Sequence, residues 1–158
     1  MTVTARTAEL LPLPAPSDPI QRLALFAVRR MAAHGIRDAH AAQMMLTSFG
    51  INFRRPLVLL RAYMVELSQV SRRTITIAPC CTLRMTIDEA RIVGILATAA
   101  SNPANAAQHL RCLTGSRAIS SPLSVAAAFS AALADLGRPL ALLETRAGCV
   151  KYDADRPL

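Results

Sequence analysis

The sequence predicts an all-α protein, a single compact domain of about six helices packed round a central apolar helix at about residues 56–70. Three observations predict it. Apolar residues make up 53% of the 158-residue chain, aromatics only 4%, and Trp is absent. The core must therefore be assembled from Ala, Leu, Ile, Val and Met, which suits closely packed helices better than a sheet. Helix start and stop signals recur through the middle of the chain. The length is also sufficient for one domain to bury a core without disulfide or metal staples.

Residues 1–17, with Pro12, Pro14 and Pro16, read as a flexible or extended arm. The helical domain spans 18–140. Its first helix opens at Asp18-Pro19, an N-cap followed by a proline in the first turn, and stops at Gly35. The second runs from Asp38 to Gly50, and the third from Pro56 to about Val70. Between Leu57 and Leu67 only Arg61 and Glu66 are polar, and this near-continuous apolar character places the third helix at the centre. A long non-helical link follows, with a short extended run at Ile75–Ala78. The fourth helix opens with Thr86-Ile87-Asp88-Glu89, a capping box in which Thr86 and Glu89 satisfy each other's free backbone donors. Asn102-Pro103 opens a fifth that ends at Gly115, and Ser121-Pro122 a sixth that ends at Gly137. The sixth carries Ala126, Ala127, Ala128, Ala131 and Ala132, a small-residue surface for close helix approach. Residues 141–158 form a C-terminal tail, whose apolar Ala141–Leu143 is the part suited to docking.

The formal net charge is +8, and seventeen of the eighteen basic residues are arginine. Such a chain is drawn to nucleic acid, anionic lipid or acidic proteins. Joint enrichment in Arg and Ala is also what GC-rich codon usage produces, so charge alone is a poor guide to function. No secretory signal pattern is present near the start. The most apolar stretch, Leu57–Leu67, is interrupted by charge and far shorter than the roughly 20 residues that span a bilayer. A soluble, cytoplasmic protein with reduced thiols and no membrane association is the expectation.

The one segment whose residue types suggest chemistry is the link around Cys80-Cys81, flanked by Arg72, Arg73 and Arg84 and lying just before the capped helix. A disulfide between neighbours is disfavoured, because consecutive Cα atoms lie about 3.8 Å apart across a trans peptide. Unstrained bridges need about 4.4 Å or more. His109 and Cys112, three apart on a helix, can converge on one point. Cys80, Cys81, His109 and Cys112 together supply the three-Cys, one-His set that suits tetrahedral zinc, although adjacent cysteines are not the usual knuckle spacing. His109 and Cys112 also fall away from the face defined by Ala106, Ala107 and Leu110. The plainer reading is of small buried cysteines and a surface histidine. A redox-sensing thiol at Cys80 or Cys81 is the other chemical reading.

Three arginine pairs stand out: Arg29-Arg30, Arg54-Arg55 and Arg72-Arg73. The second and third helices resemble a helix-turn-helix in spacing, but a recognition helix presents a polar face to the groove and the third has none. The pairs read as solvated helix ends, with Arg29 and Arg30 complementing the first helix's dipole. Asp38 reads as an N-cap. Apart from Asp88-Glu89, the acidic residues are scattered singly, and no phosphate loop, nucleophile elbow or His-Glu metal motif occurs.

Three segments carry a resemblance: Arg54-Arg55-Pro56-Leu57-Val58-Leu59-Leu60-Arg61-Ala62, Ala78-Pro79-Cys80-Cys81 with Arg84-Met85-Thr86, and Ala33-His34-Gly35 with Asp38-Ala39-His40-Ala41. Together they resemble a small uncharacterised alphaproteobacterial family, a domain of unknown function, over roughly residues 20–140. The resemblance implies a bacterial cytoplasmic protein and no activity, substrate or ligand set. The expected function is a non-enzymatic protein-interaction or regulatory module with a protein partner or self-association. The alternatives are a zinc or thiol-redox site at Cys80/Cys81 and nucleic-acid binding through the arginine surface.

Overall fold

The computed structural model describes residues 11–142. Its helices are α1 (Pro19–His34), α2 (Ala39–Phe49), α3 (Arg54–Val70), α4 (Ile87–Thr98), α5 (Pro103–Thr114) and α6 (Ser120–Asp135). A 3₁₀ turn, Gly50–Phe53, joins α2 directly to α3, so the helical chain falls into five uninterrupted stretches among the described residues. This turn also explains why α3 begins at Arg54, before the expected Pro56, and without a side-chain cap. Gly50, at φ 57, supplies the left-handed residue that redirects the chain there.

The other helix signals translate into hydrogen bonds. Asp18 accepts from the Gln21 amide at 2.8 Å and Asp38 from the Ala41 amide at 2.9 Å. Asn102 accepts from the Asn105 amide at 3.1 Å. Both halves of the Thr86–Glu89 capping box form. Helix α6 starts at Ser120, with no side-chain cap.

Helices α3 and α6 share the most extensive interface, followed by α4 with α5. Ala126 and Ala132 of α6 are fully buried with Phe129 and Leu133, as close helix approach requires. The centre, however, is not α3. That helix buries one stripe (Pro56, Leu57, Leu60, Tyr63 and Leu67) and leaves Val58 59% exposed. The most enclosed helix is α4, which touches α1, α5 and α6 and buries eight residues, including Asp88 and Glu89. Two charges disguise α4 in the sequence, whereas apolar composition alone overstates how far α3 is surrounded.

The expected arm is partly tied down. Leu13–Pro14 (β1) pairs antiparallel with Arg84–Met85 (β2), in the register Leu13↔Met85 and Pro14↔Arg84. The Arg84 guanidinium donates to the Leu11 and Pro12 carbonyls at 2.6 and 2.7 Å. Leu13 packs on Met85, Leu25, Ala90 and Val93, a small satellite core. At the other end Leu140 is buried, and the Ala141 carbonyl accepts from the Gln21 side chain. Residues 1–10 of the arm and 143–158 of the tail lie outside the described residues.

Candidate functional site

The link between α3 and α4, residues 71–86, lies across the molecule as a strap. Its expected extended run, Ile75–Ala78, has no assigned strand; the short strand falls later, at Arg84–Met85. The strap is fastened by the two adjacent carboxylates that open α4, where the helix dipole favours negative charge.

Glu89 is wholly buried, and Arg29 of α1 is 3% exposed. Arg29 Nε donates to Glu89 Oε1 at 2.7 Å and Nη2 to Oε2 at 3.0 Å, a bidentate pair. The Ala78 amide donates to Oε1 at 3.0 Å and the Thr86 amide to Oε2 at 2.9 Å. Arg29 also donates to the Thr82 and Arg84 carbonyls, both at 2.7 Å. This buried pair thus satisfies four backbone groups of the strap in addition to itself. A buried charge pair is tolerated when its remaining donors and lone pairs are satisfied in this way.

Asp88 repeats the arrangement nearer the surface. It accepts from Arg73 Nη2 at 2.9 and 2.8 Å, from the Thr76 amide at 2.9 Å, and from Arg91 at 3.3 Å. Arg73 reaches on to the Cys112 and Leu113 carbonyls at 3.1 Å, locking the strap to the end of α5. The Thr86 hydroxyl caps α4 and donates to the Thr76 carbonyl at 2.7 Å.

Between this strap and helices α1 and α3 runs an apolar groove of about 390 Å³. Met31, Leu67 and Ile92 form its buried floor, and Ile36, Met64, Ile75 and Ile77 its more open walls. Ile75 and Ile77 both face it, as an extended chain presents residues i and i+2 on one side. Ser68, Ser71 and Arg73 contribute the polar edge.

The four proposed zinc ligands are not gathered into a site. Cys80 and Cys81 are free thiols at the turn of the strap, half-buried and exposed respectively. Cys112 lies on α5 and is disulfide-bonded, so it offers no thiolate. His109, also on α5, keeps its Nδ1 buried with no hydrogen-bond partner. Burial and then the Arg91 cation push its imidazole below the usual range. Among the described residues no group of three or more His, Cys, Asp or Glu side chains could hold a metal ion.

The arginine pairs are not simply solvated helix ends. Arg29 is buried against Glu89, and Arg30 donates to both Asp38 oxygens at 3.0 and 2.6 Å. Arg55 pairs with Asp135 at 2.8 Å, and Arg73 with Asp88. Asp38 therefore does more than cap α2. The Arg30 hydrogen bond first, aided by the Ala41 amide, holds its carboxyl well below the usual carboxylate range.

The ion pairs of Arg29, Arg30, Arg55 and Arg73 are not legible from the residues alone, whereas the Thr86–Glu89 capping box and the Asp38 cap are. A signal for Arg29 did exist: Gln21, Leu25 and Arg29 recur at four-residue spacing on one buried face of α1. The adjacent Asp88-Glu89, in a chain with ten acidic residues, was the matching one.

No helix of the described residues is long and apolar enough to cross a membrane. No curated protein and no solved structure matches the chain. A family model does match residues 3–149, nearly the whole length, and the chain belongs to that family of unknown function, DUF6628.

Proposed function

We propose that the protein is a non-enzymatic helical binding module whose receptor surface is the groove between α1, α3 and the strap. The observation that carries this reading is the groove's composition: an apolar floor, adaptable Met31 and Met64, and Arg73 at its edge. Methionine-lined grooves accommodate apolar side chains of varied shape. Arg73 lines the edge, and exposed Arg37 and Arg72 adjoin the lining residues Ile36 and Ser71. The occupant that fits is an apolar segment of a protein partner with acidic flanks. Among the described residues that line the groove there is no Asp, Glu or His side chain.

A photo-crosslinking residue replacing Ile36, on the rim, tests this in living cells. One dominant crosslinked protein is expected, with the crosslink lost in Met31→Arg and absent when the same group replaces exposed Leu83. Purified partner should then bind with a measurable Kd that weakens with salt. Equal labelling at positions 36 and 83 would overturn the reading.

Nucleic-acid binding through the arginine surface is less supported, since Arg29, Arg30, Arg55 and Arg73 already serve internal carboxylates. Duplex DNA affinity that falls steeply with salt would favour it. We place the protein in the cytoplasm of an alphaproteobacterium on the strength of the sequence resemblance.

A further inference from the structure

Two alternations run along the strap between Arg73 and Ala78. Arg73, Ile75 and Ile77 line the groove, whereas Thr74 and Thr76 are exposed and outside it. The backbone alternates too. The Thr76 amide donates to Asp88 at 2.9 Å, the Ala78 amide to Glu89 at 3.0 Å, and the Thr76 carbonyl accepts from the Thr86 hydroxyl at 2.7 Å. These groups all face the start of α4. In an extended chain the N–H and C=O groups of successive residues point to opposite edges, so those of Ile75 and Ile77 face away from α4. Among the described residues they make no hydrogen bond. The strap thus has one edge paired and the other unpaired, beside the groove that the same two isoleucines line.

We propose that this open edge is a strand-acceptor site, and that the groove's occupant is a partner segment that binds in extended form and pairs its backbone with Ile75 and Ile77. The proposal rests on the groove being the receptor surface. An unpaired edge is a template for a further strand. Strand addition draws affinity from main-chain bonds and specificity from alternate side chains. Ile75 and Ile77 together offer two donors and two acceptors. Residues directly opposite them in a paired strand place their side chains on the same face. Apolar residues at i and i+2 of the partner therefore enter the groove beside Met31 and Met64. Charge selects the flanks. Arg37 and Arg72 are exposed, carry no side-chain ion pair among the described residues, and suit acidic groups on either side of the apolar pair.

The test uses the full chain and a synthetic probe, a short capped peptide of alternating valine and threonine with aspartate at both ends. Amide exchange is followed by NMR. In the free chain the Ile75 and Ile77 amides should exchange faster than those of Thr76 and Ala78. At saturating peptide the Ile75 and Ile77 amides should slow by about tenfold or more, with Thr76 and Ala78 little changed. Two N-methylated peptides isolate the backbone contribution. Methyl groups on one alternate set of amides should abolish binding and on the other set leave it intact, because only one set faces the edge. Equal binding by both, no binding by the parent peptide, or slow exchange of Ile75 and Ile77 in the free chain, showing an edge already held, overturns strand addition. If crosslinking at position 36 persists in that case, the groove still receives a partner; if crosslinking is lost as well, both readings fall.

Discussion

The two sides of the strap present opposite solutions to one problem. On one side lies the Arg29–Glu89 cluster, polar, buried and with both carboxylate oxygens doubly bonded. On the other lies the groove of Met31, Met64, Ile75 and Ile77, apolar and open. The ionised groups, which in a sequence look like chemistry, hold the loop in place. The residues that look like core instead line an open groove. Hydrogen-bond satisfaction explains the difference. Glu89 has four donors on its two oxygens and no capacity left for a substrate, while an apolar groove loses nothing when a partner replaces water.

Breaking the polar side should have the largest effect. Glu89→Ala or Arg29→Ala leaves an uncompensated buried charge, and each should destabilise by about 3–5 kcal/mol in urea unfolding. The double variant Arg29→Met/Glu89→Leu sharpens the point. An isolated buried pair can often be replaced by apolar residues at little cost. Here the Ala78 and Thr86 amides and the Thr82 and Arg84 carbonyls would lose their partners, so the double variant should remain destabilised by at least about 2 kcal/mol. Recovery to wild-type stability would mean the strap does not depend on the pair.

Asp88→Ala comes next, at about 1–2 kcal/mol. Arg73 is partly exposed, so solvent screens the ion pair, but the Thr76 amide loses its acceptor. Loss of protease resistance confined to residues 71–78 would show that this second fastening acts locally.

Acid should act at a third place. The folded-state pKa of Asp38 is depressed, so its ion pair with Arg30 contributes stability above the unfolded value, and that contribution fades as pH falls below about 4. Thermal melts of wild type and Asp38→Asn should therefore differ at neutral pH and converge toward pH 2. A gap that widens with acid would contradict the sign.

The groove side should respond least in stability. Ile77→Ser, at a half-buried wall, is expected to cost about 1 kcal/mol, yet it should abolish partner crosslinking at position 36. Leu83→Ser, at a residue 80% exposed and outside the groove, should change stability by no more than about 0.5 kcal/mol and leave crosslinking intact. A loss of partner capture with Leu83→Ser would move the receptor surface away from the groove.

Local rules made much of the fold legible. Asp18, Asp38, Thr86 and Asn102 each bond the backbone amide three residues on, because an N-cap is a contact within one helical turn. The all-helical class followed from the same signals and the scarcity of aromatics. The candidate site was legible only in part. Cys80 and Cys81 lie on the non-helical link, as the residues indicate, but the bonds that fasten their turn, the Ala78 amide on Glu89 and Arg29 on the Thr82 carbonyl, are set by tertiary packing. His109 and Cys112 were joined to them by residue type, which says nothing about distance.

The sequence by itself determined the helices, their caps and their composition, since those depend on interactions spanning three or four residues. Only the tertiary structure decided that α4, and not the more apolar α3, is the enclosed helix. It alone decided that Glu89 serves Arg29 as well as its own cap, and that the strap's isoleucines line a groove. Such pairings span 11 to 60 residues of chain. They are selected by which buried charge can find a full set of partners, a condition that is met only once the helices have packed.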